Sequence, residues 1–203
     1  DAKGDGFADH LVVGEDGYPT CTYIDANGQK LTGDYDLVPI LEKFCQKHPD
    51  FSYRGARAII ALTGYQGVFG YRTNPKWKDT IGGEEEFNRQ VEEARKVAKC
   101  LRDKGWEIAS HSFGHPDFGN ISDEKAKEDT QKWEDQVESI VGETDIFIYP
   151  HGSDIAGIGK YSGSKYETLY NAGFRFFCNV DSTQHWVQIR NDYVRQGRRN
   201  LDG

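Results

Sequence analysis

The sequence predicts an α/β protein built on a mainly parallel sheet. Short apolar runs of strand length alternate with longer amphipathic stretches of helix length, from about residue 34 to residue 190. Strands that alternate regularly with helices pair in parallel, because each helix carries the chain back across the sheet. No apolar run approaches the roughly 18 residues that a membrane-spanning helix needs.

The elements follow in order. "DHLVVGEDGYPTCTYIDANGQKL" (9–31) alternates polar and apolar residues around "EDG" and "NG", which predicts an N-terminal β-hairpin excursion outside the main sheet. "DYDLVPILEKFCQKH" (34–48) predicts a helix with Leu37, Ile40, Leu41 and Phe44 on one face, stopped by Pro49. "ARAIIALTGY" (56–65) is almost wholly apolar, as in strands buried on both faces. "EEEFNRQVEEARKVAKCLRDKG" (84–105) predicts a helix with acids in its first turn, bases in its last and Gly105 as its stop. "WEIAS" (106–110) is a strand, "SDEKAKEDTQKWEDQVESIVG" (122–142) a helix capped by Ser122, and "DIFIYP" (145–150) a strand. Helix "SKYETLYNAG" (164–173), strand "FRFFCNVD" (174–181) and a final pair, "WVQIR" (186–190) with "YVRQ" (193–196), complete the series.

A chain of 203 residues, 36% hydrophobic, is long enough for one sizeable core, and we expect a single domain over 1–203. A net charge of −8 argues against a nucleic-acid partner, since "RQGRR" (195–199) is the one basic cluster. Neither a membrane span nor a signal peptide is visible in the polar opening "DAKGDGFADH". That opening has a faint calcium-loop character but lacks the ligand spacing, and reads as a polar turn. Cys21, Cys45, Cys100 and Cys178 show no C-x-x-C spacing, so they read as buried free thiols.

In parallel sheets, ligands gather at the carboxyl ends of strands. Four suggestive stretches fall there: "GYQG" (64–67), "HSFGH" (111–115), "YPHGSD" (149–154) and "DSTQHW" (181–186). His111 and His115 stand four apart, a spacing that some pair among six histidines reaches by chance in roughly one such sequence in six. On one helical turn that spacing points two imidazoles the same way, toward one borderline ion such as Zn²⁺. The bland alternative is two histidines hydrogen-bonded in a loop. An H-E-x-x-H peptidase is excluded, because Ser112 takes the place of the glutamate.

"ASHSFGH", following "KGWEI", resembles the H-[ST]-x-x-H motif of the polysaccharide deacetylases, carbohydrate esterase family 4 or NodB-homology domains, and the likeness runs from about Asp34 to Asp181. The resemblance implies a distorted (β/α) barrel, with an Asp and two His holding one divalent metal, zinc above all. A second Asp would act as base on a metal-bound water that attacks the acetamide of an N-acetylated glycan, such as a peptidoglycan or chitin-like oligomer. It implies His111 and His115 as metal ligands. The family's R-x-P-Y-G motif falls on Ile148, Tyr149, Pro150, His151 and Gly152, with isoleucine for the arginine and histidine for the tyrosine. There His151 would keep a backbone oxyanion donor, and Tyr149, Pro150 and Gly152 would border substrate. Arg72 or Arg198 are the cations available to replace the missing arginine. Asp181 and Trp186 resemble the D-x-x-x-W-like segment lining the family's groove, with one residue more, and His185 beside them is a candidate acid. The family's Asp-Asp pair, source of both the base and the third ligand, is not visible. Glu15, Asp16 and Gly17 imitate it but read as hairpin chemistry. We expect that pair upstream of Asp1, and the resemblance implies the cell envelope or exterior of a bacterium. Two alternatives stand beside this reading: a catalytically impaired NodB-like domain that binds carbohydrate, and an unrelated α/β protein with structural histidines.

Overall fold

The computed structural model describes residues 4–181 and 184–199. They fall into two compact units, Asp1–Ile60 with Gln66–Glu107 and Ala61–Tyr65 with Ile108–Gly203.

The first unit opens with a three-stranded antiparallel sheet of β1 (His10–Val13), β2 (Pro19–Ile24) and β3 (Lys30–Gly33). Its turns are those that the sequence predicts. Asp16 accepts the Tyr18 N–H at 3.0 Å, beside Gly17 at φ 75°, and Asp25 accepts the N–H groups of Asn27 and Gln29 at 2.9 and 2.8 Å. Asp5 likewise accepts the N–H of Phe7, in a polar turn. Helix α1 (Leu37–Lys47) is capped by Asp36, whose carboxylate accepts the Leu37 N–H.

The buried side of α1 corrects the expectation. Leu37, Ile40 and Phe44 are 63%, 54% and 44% exposed, whereas Val38, Pro39, Glu42 and Cys45 are buried. The reason is Glu42. Its carboxylate receives Arg57 Nε at 3.1 Å and Trp106 Nε1 at 2.6 Å, and a paired carboxylate tolerates burial where an unpaired one does not. Hydrophobic periodicity scores glutamate as a surface residue, so it selects the wrong side.

Strand β4 (Ile59–Leu62) is a second correction. Its residues alternate exposed and half-buried rather than being covered on both faces, because it stands at the edge of its sheet. The short α2 (Lys78–Ile81) precedes α3 (Glu84–Asp103), which has Glu84, Glu85 and Glu86 in its first turn and buries Phe87, Ala94, Val97, Ala98 and Leu101. It ends before Gly105, at φ 90°, where an added Cβ would come 2.3 Å from the Gly55 carbonyl oxygen.

Strand β5 (Glu107–Ser110) leads into the second unit. Helix α4 (Asp123–Trp133), with Ser122 accepting the Lys125 N–H, continues through a π-type segment over 134–138 into α5 (Ser139–Val141). Strand β6 (Ile146–Ile148), α6 (Ser164–Asn171), β7 (Phe176–Val180), β8 (Trp186–Ile189) and β9 (Val194–Arg198) follow. The sheet order is β4-β5-β6-β7-β9-β8. The pairs β5/β6, β6/β7 and β7/β9 are parallel, and β8 runs antiparallel to β9. The mainly parallel α/β architecture is therefore observed.

Pleating sorts the side chains. Ala109, Ile148 and Cys178 pack together on one face. On the other, Phe147, Tyr149 and Phe177 join Phe118 and Phe174 in an aromatic core. All four cysteines are free and buried. Among the described residues no helix is long and apolar enough to cross a membrane.

A buried ion pair ties the segment after β6 to β9. Arg195 Nη1 lies 3.3 Å from Asp154, with the two side chains 2% and 9% exposed. Tyr161 donates to the same carboxylate at 2.7 Å, and Arg195 Nη2 reaches the carbonyls of Gly157 and Gly159 at 2.6 and 2.8 Å. Truncating one member of such a pair leaves the other charge buried and alone, so Asp154→Ala is expected to lower unfolding free energy by about 3–5 kcal/mol. Urea denaturation checks this, and a loss within about 0.5 kcal/mol, as at an ordinary surface site, would show that the pair does not hold the segment.

Candidate functional site

Four chain segments leave the carboxyl edge of the second unit's sheet: His111 after β5, Tyr149 to Gly152 after β6, Asp181 after β7, and Arg198 at the end of β9. The loop after β5 is held on several sides. The His111 N–H reaches the Leu62 carbonyl at 2.8 Å, and the Phe113 carbonyl accepts the N–H groups of Gly64 and Tyr65 at 2.9 and 3.0 Å. A side chain at Gly64 would sit 2.3 Å from the Phe113 ring, so "TGY" after β4 forms the wall of this loop. From α4, the Asp129 carboxylate accepts the N–H groups of Phe113 and Gly114 at 2.8 and 2.7 Å. Burial raises the pKa of Asp129, and those two donors oppose the shift.

Within the loop, Ser112 and His115 both adopt left-handed backbone, at φ 61° and 57°. Conformations of this kind persist where the surroundings over-determine them, and they gather at functional sites. Ser112 is buried, and its hydroxyl accepts the His115 N–H at 3.0 Å, closing the turn that brings the second histidine back over the first. The rings of His111 and His115 lie 4.8 Å apart, centroid to centroid. His111 Nδ1 lies 2.6 Å from the Ile148 carbonyl oxygen, which fixes Nδ1 as the donor and leaves Nε2 with its lone pair. A metal-ligating histidine is oriented in this way by its outer-shell acceptor.

The electrostatics favour neutral rings. Burial lowers the pKa of His111. The Ile148 carbonyl opposes the shift, and the charges of His115, Arg198 and His151 add to it. Burial and then the charge of His151 lower that of His115. Only the neutral imidazole has a lone pair to give.

The other predicted residues divide. His151, at φ 56°, is exposed and brings its ring 4.4 Å from that of His115. Its Nε2 is directed at the His115 carbonyl oxygen, 3.3 Å away. The Tyr149 side chain is wholly buried between Phe118, Phe147 and Phe177, and Pro150 is buried too, so neither side chain offers a surface to a substrate. Gly152, at φ 68°, lies so close to Val180 that an added Cβ would meet it at 2.7 Å. Trp186 Nε1 donates to the Asp181 carboxylate at 3.0 Å. That carboxylate also accepts the Gln184 N–H, and the indole stands 5.4 Å from the Arg195 guanidinium. His185 is exposed, and residues 182 and 183 of the same segment lie outside the described residues. Arg72 belongs to the first unit, where it binds Gln66. Glu15 and Asp16 lie in the β1–β2 turn.

Asp129 is a residue that the sequence reading misses, because an aspartate inside a charged helix carries no mark of its role; Gly64 opens the stretch GYQG singled out in the sequence, and the structure sets it against the Phe113 ring. Among the described residues no group of three or more His, Cys, Asp or Glu side chains is gathered to hold a metal ion. The donors present, a pair of neutral imidazoles, one already oriented by main chain, fit a borderline divalent ion as part of a ligand set. A base and a carboxylate ligand are not identified among the described residues.

Comparison with known proteins gives the following. Solved structures similar at low identity include the following three. A protein assigned to the polysaccharide deacetylases from Mycobacterium smegmatis is 14% identical, with a TM-score of 0.36, over 72% of this chain and 60% of that one. A CE4-family pseudoenzyme from Bacillus anthracis is 12% identical, with a TM-score of 0.36, over 83% and 66%. A mutant of that CE4-family pseudoenzyme with restored enzymatic activity is 13% identical, with a TM-score of 0.34, over 83% and 68%. This chain thus spans about three fifths of the length of the first of them. No curated protein matches. Residues 85–176, which include α3, the HSFGH loop and the YPHG segment, match the model of the polysaccharide deacetylase family, and over that stretch the chain carries the family's sequence pattern.

Proposed function

We propose that this chain is a metal-dependent hydrolase that removes acetyl groups from N-acetylated polysaccharide, such as peptidoglycan or chitin-like oligomers, at the bacterial cell envelope or outside the cell. The reading takes 1–203 as one catalytic domain and its parallel sheet as part of a distorted (β/α) barrel. The observation that carries it is the His111–His115 pair: two rings 4.8 Å apart at the carboxyl edge of a parallel sheet, one oriented through Nδ1 by the Ile148 carbonyl. The match of residues 85–176 supports the acetylated-glycan class, and the net charge of −8 speaks against a nucleic acid.

In this reading His111 and His115 hold one divalent ion, zinc above all. When bound, such an ion supplies Lewis acidity toward an amide carbonyl and acidifies water. The chain's own residues do the rest. Ser112 and Asp129 keep the loop in its strained form and so fix where both rings point. The main-chain N–H of His151 donates to the developing oxyanion, a task that does not depend on the side chain. Trp186, fixed by Asp181, offers its face to a pyranose ring. His185 is the candidate acid for the departing amine.

A second reading, a carbohydrate-binding domain with impaired catalysis, is favoured by one observation: no carboxylate stands with the two rings among the described residues, and Ile148 takes the arginine position of the family pattern. Metal analysis followed by acetate release from N-acetylglucosamine oligomers separates the two. The hydrolase reading expects one zinc per chain and acetate released. His111→Ala and His115→Ala should each lose the metal and the activity, whereas zinc retained in both variants would overturn the assignment. Asp129→Ala should weaken zinc binding by roughly 10–100-fold, the cost of an outer-shell partner, with both histidines in place.

The half-buried imidazoles also set a pH dependence. Their pKa values are lower folded than unfolded, so as pH falls through the ordinary imidazole value, about 6.5, the unfolded chain binds their protons first. The contribution of these two rings to the stability of the metal-free protein is therefore complete above that pH and is lost below it. Urea denaturation at about pH 7 and pH 5.5 should show the loss, smaller in the His111→Ala/His115→Ala double variant. An equal loss in the double variant would place its origin elsewhere.

A further inference from the structure

We infer that α1 is an interface between two copies of this chain: its outward apolar stripe packs against the same stripe of a second copy, the two helices running antiparallel about a two-fold axis beside Ile40.

The helix itself supplies the first observation. Its sequence, LVPILEKFCQK, is apolar on both sides. Val38, Pro39 and Cys45 are buried together with the paired Glu42, while Leu37, Ile40 and Phe44 stand outward, 63%, 54% and 44% exposed. Residues spaced by three and four share one face of a helix, and half-buried Leu41 borders that face. An ordinary surface helix keeps one side polar, whereas a helix that is apolar all round is covered all round. In the single chain the outer side of α1 lies open.

The stripe continues past the end of the helix. The Phe44 ring meets that of Phe51 edge to face at 5.0 Å and that of His48 at 4.5 Å. Phe51 is 64% exposed, and Tyr53 beyond it 76%. Single apolar residues scattered over a surface need no explanation, but a run of large ones side by side marks contact with another surface.

Charge identifies that surface. Asp34 and the capping Asp36 stand at the N-terminal end of α1, and exposed Lys47 occupies its last turn. A stripe with acids at one end and a base at the other complements its own reversed copy. Antiparallel packing brings Lys47 of each copy to the acidic end of the other, sets Leu37 against Phe44 across the axis, and opposes the two helix dipoles. Parallel packing would bring like charges together. A lipid surface fits less well, since membrane-surface helices carry Lys and Arg around their apolar face, whereas this stripe is bordered by Asp34, Asp36 and Asp50 on a chain of net charge −8. At 11 residues, about 16 Å long, α1 centres a contact at the small end of the interface range, so the dimer dissociates on dilution.

Sedimentation velocity of the whole chain over a dilution series tests this. The wild-type chain is expected to pass from monomer to dimer as concentration rises. Ile40→Glu and Phe44→Glu, at exposed positions, should keep the wild-type circular dichroism and melting temperature while weakening the dimer by more than about 30-fold, the loss that follows removal of a central anchor. Cysteine cross-linking reads the orientation, since the four native thiols are buried. Ile40→Cys should give a disulfide-linked dimer on oxidation, and Lys47→Cys should not. A wild-type chain that stays monomeric at every concentration overturns the inference, and if that monomer sediments with vesicles of anionic lipid, the stripe belongs to a membrane surface instead. A dimer that persists unchanged in both folded glutamate variants, or that cross-links through position 47 rather than 40, overturns it as well.

Discussion

The hydrogen bond from His111 Nδ1 to the Ile148 carbonyl, 2.6 Å long, is the contact on which the site depends. It crosses from the end of β5 to the end of β6, so the parallel pairing of those strands sets its length. It also decides chemistry. With Nδ1 committed to main chain, the ring has one tautomer and one free lone pair. A histidine hydrogen-bonded at a loop and a histidine poised to ligate make the same first bond; the second imidazole, 4.8 Å away, is the observation on which the proposed metal reading rests.

That second imidazole is where it is because the loop is bent against local preference. Ser112 and His115 are non-glycine residues in the left-handed region, and the bend is maintained by the Ser112 hydroxyl, by Asp129 from α4 and by the wall at Gly64. Each of these contacts belongs to a different chain segment, so the site is a product of the sheet and its helices rather than of a five-residue motif. On the opposite face of the sheet, the Asp154–Arg195 pair performs the same service for the segment that follows His151. Charged groups that are costly to bury are used, in both places, to fix backbone at the carboxyl edge of the sheet.

Much of this was legible in the sequence. The alternation of strand and helix, the hairpin turns at Gly17 and Gly28, the stop at Gly105 and the Ser122 cap all rest on local rules, and local rules leave local marks. The nearness of His111 to His115 was legible because the two stand four residues apart. The buried side of α1 was not, since Glu42 turns inward to meet Arg57 and Trp106, partners 15 and 64 residues away. The place of β9 between β7 and β8 was equally hidden, as was the role of Asp129. The meeting of His151 with His115 spans 36 residues and depends on the register of β6 beside β5. Tyr149 shows the converse. A motif position suggested contact with substrate, while strand pleating sends the ring into the aromatic core.

The central claim is that two imidazoles, one fixed by the Ile148 carbonyl, share a single divalent ion. The most direct measurement is anomalous diffraction at the zinc edge from crystals of the protein grown with Zn²⁺. The account predicts one peak within about 2.0–2.1 Å of Nε2 of both His111 and His115, with the Nδ1 contact to Ile148 retained. A peak elsewhere, or none with the two rings bonded only to main chain, would contradict it.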